Sequence, residues 1–351
     1  MDLLQRLVES HGTPGYEEAV QRVIRQELQA TCQQVSTDVL GSVMGVLNPD
    51  GNPRLLIDAH ADEIGFVVRF IDDKGFLFVT PSGGWDAEVA VAQRVWVHTE
   101  GGPRPGVFGK RAVHLMDAEE RKKKSELEKM WVDIGAKDGD EAREWVMIGD
   151  YVTVNASYTE LPNGLAVAKS FDNRAGCYVI CETMRALHQE PCQAAVTALS
   201  AVQEEIGSRG ARTATHGARP EVAIAIDVCH AVDYPEGGSK KSSITRLGGG
   251  PAIARGPNIN PVVFRRLLQV ARDHDIPYQI IATAGGTSTD ANVIQLTRSG
   301  VATALVSVPL RYMHTPCETI ARVDLDNTVR LLAAFARSLT PECSFIPGVD
   351  G

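Results

Sequence analysis

The fold prediction for this chain depends mainly on one stretch, Leu55-Leu56-Ile57-Asp58-Ala59-His60-Ala61-Asp62. It begins with an apolar run typical of a buried β-strand and ends in polar side chains. In an open α/β sheet, ligands bind in the crevice beyond the carboxyl ends of the strands. We therefore predict a buried strand that delivers His60 and Asp62 to such a crevice.

Helical and strand patterns alternate on both sides of this stretch. The predicted elements are, in chain order, helices near 3–8 and 20–28, strands at 43–47 and 55–57, a helix near 177–187, and strands at 194–202, 222–226, 278–282 and 301–308. Asn260 is predicted to cap a further helix that Pro261 opens, and a last helix is predicted from Asp324. The alternation predicts an α/β sandwich.

Residues 65–161 interrupt this alternation with short β-rich pieces separated by Gly and Pro turns. We expect them to form a small inserted all-β domain. The predicted organisation is a first part of the main domain at 1–64, the insert at 65–161 and the second part at 162–351.

Composition excludes several kinds of protein. A net charge of -9 and a pI near 5.5 argue against a general nucleic-acid binder, and the basic run at 121–124 is interspersed with glutamates as in a solvated loop. The sequence contains no unbroken apolar run of membrane-spanning length and does not begin like a signal peptide, so we expect no membrane partner and a cytoplasmic location. The seven cysteines fit reduced thiols better than a disulfide framework.

Histidines and carboxylates recur at the predicted strand ends and at one helix start. They are His60, Asp62, Asp172, Glu204, Glu205, Asp227 and His314. Imidazole and carboxylate groups suit zinc, cobalt or manganese, and a carboxylate between two cations can bridge them. On an extended segment, Glu204 and Glu205 point in opposite directions, so one could ligate metal while the other acts as a base.

Each of these residues also has an ordinary structural interpretation. A single histidine after a strand is usually hydrogen-bonded rather than metal-ligating, Asp172 could cap its helix, and paired glutamates usually face solvent. Spacing alone therefore leaves a metallohydrolase and an unspecified α/β enzyme both open.

Six segments in order resemble the tetrahedral aminopeptidase family, which includes glutamyl and leucyl aminopeptidases. They are DAHADEIGF at 58–66, SFDNRAG at 170–176, QEEIGSRGA at 203–211, AIDVCHA at 225–231, GGTSTDA at 285–291 and RYMHTPCE at 311–318. The resemblance covers nearly the whole chain and implies a zinc-peptidase-like α/β/α sandwich that carries an inserted β domain. Segment 285–290 departs from the shorter form typical of the family, which puts the preferred substrate side chain in doubt.

The resemblance also implies roles for individual residues. His60 and Asp227 would complete one metal site, Glu205 and His314 would complete the other, and Asp172 would bridge them. Glu204 would be the general base, and Asp62 would orient the imidazole of His60. The implied cofactors are two divalent ions, zinc or cobalt with manganese as an alternative.

The implied activity is removal of N-terminal residues from short peptides, with a water shared by the two cations as nucleophile. The implied assembly is a homododecamer built from dimers that form through residues 65–161. Three alternatives remain open: a related metal-dependent amidase such as a carboxypeptidase or deacylase, an endoglucanase-type glycoside hydrolase, and an inactive scaffold. A glycosidase carboxylate pair needs no histidine ligands, and a scaffold should have lost a ligand or the base.

Overall fold

The structure is a computed structural model that describes residues 1–238 and 243–348. It combines an 11-stranded sheet flanked by helices with a separate closed β-barrel. This is the predicted α/β sandwich with an inserted all-β domain. Among the described residues, no helix combines the length and the apolar character that a membrane crossing requires.

The first part of the chain forms helices on the predicted apolar faces and the first strands of the large sheet. Its elements are α1 (Leu3–Glu9), α2 (Glu18–Gln29), β1 (Gln34–Thr37), β2 (Val43–Leu47) and β3 (Arg54–His60). Strand β3 continues past the apolar run, so His60 is its last residue rather than a residue of the following loop. Leu55, Leu56 and Ile57 are fully buried, as expected for a central strand.

The insert forms a closed barrel with its own apolar core around Phe66, Val95 and Val132. Its elements are β4 (Gly65–Ile71), β5 (Leu77–Ser82), α3 (Ala87–Ala90), β6 (Arg94–Thr99), β7 (Gly102–Gly109), β8 (Trp131–Asp133), α4 (Gly139–Trp145) and β9 (Tyr151–Val154), with 3-10 turns at Val113–Leu115, Glu120–Lys122 and Leu127–Lys129. The basic run at 121–124 is exposed, and Lys122 pairs with Glu119 at 2.8 Å, as in a solvated loop.

The second part of the chain completes the large sheet and its helices. Its elements are β10 (Thr159–Leu161), β11 (Leu165–Ala168), α5 (Phe171–Gln189), β12 (Ala195–Ala201), α6 (Arg209–Ala218), β13 (Val222–His230), β14 (Ala252–Arg255), α7 (Pro261–Asp273), β15 (Gln279–Ala282), α8 (Ala291–Ile294), β16 (Ala302–Arg311), β17 (Glu318–Ala321) and α9 (Arg322–Arg337), with a 3-10 turn at Pro162–Gly164. The barrel strands end at Val154, whereas β10 pairs with the large sheet. The boundaries at 64/65 and 161/162 stay a prediction of domain organisation.

Helix α7 confirms the capping prediction. The Asn260 side chain accepts hydrogen bonds from the N–H groups of Val262 and Val263 at 2.9 and 3.1 Å, and Pro261 occupies the first turn. An N-cap side chain satisfies helix N–H groups that have no partner within the helix, and proline needs none there. The sequence therefore determines where this helix begins.

The centre of the sheet is a run of parallel strands in the order β12-β3-β13-β16. Their carboxyl ends therefore point to one edge of the sheet. In the register of β3 and β13, Asp58 lies opposite Ala225, so His60 and Asp227, each two residues further on, reach the same level. Side chains two residues apart point to the same face of a strand, so His60 points to the face of Asp58 and Asp227 to the face of Ala225, the residue paired with Asp58. The imidazole and the carboxylate therefore lie close together.

A buried ion pair joins the segment that enters the barrel to the segment that leads from the large sheet into α5. Glu63 lies just before β4 and Lys169 lies just after β11. The Lys169 ammonium donates to both carboxylate oxygens of Glu63 at 2.8 and 2.7 Å, and the Ser170 hydroxyl donates to one of them at 2.7 Å. Because both charged groups are buried, each depends on the other for compensation.

Candidate metal centre

The predicted site residues converge at the carboxyl edge of the parallel strands. His60 ends β3, Asp227 lies within β13, Glu204 and Glu205 follow β12, and His314 follows β16. Asp172 occupies the first turn of α5, which packs against β3 and β13. The structure thus brings together all five predicted ligands and the predicted base.

His60 and two carboxylates form one half of the site. The His60 Nε2 lies 3.2 Å from Asp172 Oδ1 and 3.9 Å from Asp227 Oδ1. All three side chains are buried. Both carboxylates thus approach the same imidazole nitrogen.

His314 and the other Asp172 oxygen form the second half. The His314 Nε2 lies 3.3 Å from Asp172 Oδ2 and 3.5 Å from Glu205 Oε1. Donor atoms of His60, Asp172 and Glu205 all lie within 4.8 Å of one another, so the two halves are contiguous. Asp172 therefore presents one oxygen to each histidine, which is the arrangement of a bridging carboxylate.

Asp62 has a role that the sequence did not indicate. Its two carboxylate oxygens accept the backbone N–H groups of Glu204 and Glu205, each at 3.0 Å. The His60 Nδ1 lies 3.2 Å from the Asp62 backbone oxygen and 3.5 Å from its carboxylate. The carboxylate thus fixes the paired glutamates, while the backbone carbonyl is the nearer partner of the imidazole.

Glu204 lies beside the ligands without being one of the paired donors. The Ser208 hydroxyl donates to its Oε1 at 3.2 Å. Burial, opposed by His60 and reinforced by the carboxylates of Glu205 and Asp62, raises the pKa of Glu204 to about 7. A carboxylate whose pKa lies near neutrality is suited to accept and return a proton.

The clustered carboxylates also raise the pKa values of the two histidines. Burial lowers the pKa of His314, but Asp172 and Glu205 outweigh it and raise that pKa to about 11. The pKa of His60 is likewise raised well above its usual value because Asp172 and Asp62 outweigh burial. A field that stabilises positive charge on imidazole also stabilises a bound cation.

The 285–291 segment reaches the same region. Burial and the nearby carboxylates of Asp58 and Glu204 raise the pKa of Asp290 well above its usual value. The segment thus contributes a buried carboxyl group within electrostatic reach of the predicted base.

Two groups of the site were missed by sequence reasoning. The Glu318 carboxylate accepts the backbone N–H groups of Asp172 and His314 at 3.0 and 2.9 Å. The backbone oxygen of Gly84, which belongs to the insert, lies 2.9 Å from His314 Nδ1. An Nδ1–H bond to a carbonyl leaves Nε2 free as a metal ligand. Glu318 belongs to the RYMHTPCE segment, but nothing in the sequence links Gly84 to the site.

Gly83 shows how closely the barrel approaches these ligands. Its φ of 84° lies in the left-handed region, and a Cβ there would lie 2.5 Å from Ile64 Cγ2 and 3.0 Å from Glu205 Oε2. Only glycine allows the backbone to pass at this distance. The insert is therefore part of the site's wall.

Two cavities differ in their relation to these residues. A small cavity of about 20 Å³ is lined by Lys169, Asp172, Glu205 and His314 and has room for about one water. A cavity of about 980 Å³ lies at the other end of the sheet, near Arg54 and Ala302, where β3 and β16 begin. Of these two cavities, the small one therefore adjoins the predicted site residues and the large one does not.

An α/β sandwich with histidines and carboxylates gathered at the strand ends has the features of a hydrolase with a metal site. Residues 41–331 match the model of the M42 glutamyl aminopeptidase family. The chain belongs to this family, and it is a peptidase of the aminopeptidase class.

Individual relatives agree with this assignment. The lysyl aminopeptidase of Pyrococcus furiosus is 36% identical over 343 residues, which cover 97% of each chain. A TET aminopeptidase from the marine sediment archaeon Thaumarchaeota archaeon SCGC AB-539-E09 superposes with a TM-score of 0.91 at 32% identity, over 96% of this chain and 95% of its own. The Pyrococcus horikoshii TET1 peptidase, described as able to assemble into a tetrahedron or a large octahedral shell, gives 0.86 at 29%, over 96% and 99%.

Proposed function

We propose that this protein is a two-metal aminopeptidase that removes residues from the N-termini of short peptides. The observation that carries the proposal is the position of Asp172, whose oxygens lie 3.2 and 3.3 Å from the Nε2 atoms of two different histidines. One carboxylate shared between two imidazoles provides two adjacent cation sites.

The donor set fits two divalent ions. His60 and Asp227 would hold one ion, His314 and Glu205 would hold the other, and Asp172 would bridge them. Nitrogen and carboxylate oxygen donors suit zinc or cobalt, with manganese as an alternative. The backbone contacts of Asp62, Glu318 and Gly84 keep these donors oriented.

Side chains of the protein itself would transfer the proton during the reaction. When bound, the two cations supply Lewis acidity that polarises the scissile carbonyl, favours ionisation of water and stabilises the developing oxyanion. Glu204 would accept a proton from the attacking water and pass it to the departing amine. Asp62 holds the Glu204 and Glu205 backbone so that one side chain serves as the base and its neighbour as a ligand.

The alternatives differ in substrate rather than in ligands. A carboxypeptidase or deacylase would use the same metals and base but would bind another part of its substrate. A glycosidase would place two carboxyls on opposite sides of a glycosidic bond, whereas here the carboxylates are gathered around two histidines. The family assignment and the site both favour peptide hydrolysis.

The substrate proposal is tested with chromogenic aminoacyl anilides. We expect hydrolysis of anilides with a free α-amine, little hydrolysis of their N-acetylated counterparts, and loss of activity after chelation. Adding back zinc, cobalt or manganese should restore activity, and a panel of acidic, basic and apolar residues reports the preferred side chain. Preference for the acetylated substrates would contradict an aminopeptidase and favour a deacylase.

We further propose that the chain assembles from dimers into a homododecamer and that the insert takes part in dimerisation. The barrel exposes several large apolar side chains, as an interface would. They are Phe70, Val107, Val113, Leu115, Met147 and Ile148. A closed shell would exclude folded proteins and so restrict substrates to short or unfolded peptides.

Light scattering of the purified protein tests the assembly. We expect a mass near twelve times 37.9 kDa. A dimer would indicate arrested assembly and contradict the dodecamer, while a stable active monomer would contradict both the dodecamer and the dimerisation role.

A further inference from the structure

We infer that Glu318 is a positioning residue that sets the affinity of the metal site formed by His314 and Glu205. The inference rests on the proposed two-metal function and concerns how the protein holds the second site together. Glu318 is buried, and its two oxygens accept the N–H groups of His314 and Asp172 at 2.9 and 3.0 Å. One side chain thus links two ligands that are 142 residues apart in the sequence.

The position of Glu318 in the sheet explains how one side chain can hold both ligands in place. Glu318 is the first residue of β17, which pairs with β11 on one side and β16 on the other. Strand β11 leads into Asp172, and β16 leads into His314. The carboxylate therefore lies between the two segments that deliver these ligands, on a strand fixed by hydrogen bonds from both sides.

His314 needs such a restraint because its backbone is in an unfavourable conformation. Its φ of 60° lies in the left-handed region, which a residue with a Cβ adopts only when its surroundings impose it. The ring is held separately by the Gly84 carbonyl. Glu318 fixes the backbone N–H, so ring and main chain are both oriented toward Asp172 Oδ2.

A carboxylate is the side chain that suits this position. Both of its oxygens accept hydrogen bonds, whereas an amide of the same shape offers one acceptor and turns its NH₂ donor toward the second N–H. Glutamine would therefore lose one bond and bring two donors into opposition. Asp62 uses the same arrangement on Glu204 and Glu205, so His314 and Glu205, the two ligands of the second site, are each held through their backbone N–H by a buried carboxylate.

Loss of the Glu318 hydrogen bonds should affect the two metal sites unequally. His60 and Asp227 are delivered by β3 and β13, whereas the two Glu318 oxygens accept hydrogen bonds from Asp172 and His314. Loosening Asp172 relative to His314 alters the pair whose atoms lie 3.3 Å apart. The second site should therefore weaken more than the first.

The experiment compares Glu318→Gln with wild-type protein by titrating zinc into chelator-treated samples, with a chromogenic chelator as competitor. We expect one of the two binding steps to weaken by about 10- to 100-fold, the usual effect of losing a partner that orients a ligand, and the other to change less than about 3-fold. Turnover should fall at limiting zinc and recover when free zinc is raised, because occupancy rather than the fold is impaired.

Asp324→Asn provides a matched control. Asp324 is buried and accepts the N–H groups of Gly248 and Gly250 at 2.7 and 2.8 Å, which is the same kind of restraint on residues that are not predicted ligands. We expect this variant to lose thermal stability while keeping both zinc affinities. If it weakened zinc binding as Glu318→Gln does, the effect would be a general loss of stability and the inference would be wrong.

Three further outcomes are decisive. Wild-type zinc affinities in Glu318→Gln, or equal weakening of both steps, would overturn the inference and leave the two-metal proposal intact. Wild-type protein that binds fewer than two ions would overturn both. If Glu318→Gln does not fold, Glu318→Asp keeps the charge but is too short to reach both N–H groups, and the same unequal weakening is required of it.

Discussion

Replacing Glu204 by glutamine is expected to lower kcat by about 10²- to 10⁴-fold, the usual contribution of a general base, while both metal ions stay bound. Glutamine preserves the shape of the side chain but cannot take up the proton that a carboxylate accepts. The backbone N–H of residue 204 still reaches Asp62, so the adjoining ligand should keep its position. Steady-state kinetics and metal analysis of the same sample measure the two effects.

Glu205→Gln is the matched comparison, because it makes the same chemical change one residue along the chain. Since Glu205 Oε1 lies 3.5 Å from the His314 Nε2, we expect this variant to weaken metal binding at that site. Near-normal turnover of Glu204→Gln with two ions bound would show that the base has been assigned wrongly.

Replacing Asp172 by alanine is expected to weaken both metal sites together and to reduce activity by more than about 100-fold, beyond the usual effect of losing an outer partner. The reason is that each of its oxygens faces a different histidine, so alanine removes a donor from both halves of the site at once. Metal content after dialysis against a weak chelator, measured alongside kcat/KM, checks the prediction.

Asp227→Ala removes a carboxylate from one half of the site and serves as the control. Asp227 lies 3.9 Å from the His60 Nε2, so we expect loss of the ion at that half with partial retention of the other. Two tightly bound ions in Asp172→Ala would show that Asp172 does not bridge, and identical losses in both variants would argue that the two sites are not separate.

Much of the fold could be predicted because its signals are local. Apolar periodicity gave α1, α2 and the central strands to within a few residues, and Asn260 with Pro261 gave the start of α7. Other elements were not predicted, among them α4, a seven-residue helix capped by Asp138 that is too short to show a clear period, and α6 (Arg209–Ala218), whose buried residues are small ones such as Gly210, Ala211 and Ala214. After Gly65 the sequence changes from alternating helix and strand patterns to short β-rich pieces separated by turn residues. This change predicted a separate β domain, because strand and turn signals depend on only a few neighbouring residues.

The candidate site residues could also be named from the sequence, because they recur at predicted strand ends and lie in segments that resemble one family. Their pairing could not be derived from the spacing. The register of β3 and β13 places His60 level with Asp227, and the two oxygens of Asp172 separate the donors into two halves. Before that geometry was known, the assignment of ligands to each half depended on resemblance alone.

The sequence by itself determined the central strands, the β-rich insert, the α/β class and a list of chemically competent residues, because each depends on the properties of near neighbours. Only the tertiary structure revealed Glu318 between β11 and β16, Asp62 on two N–H groups, and the Gly84 carbonyl at the His314 ring. These contacts join backbone atoms to residues far apart in the chain. A backbone N–H or carbonyl is the same in almost every residue, so no pattern of side chains marks where the fold will use it.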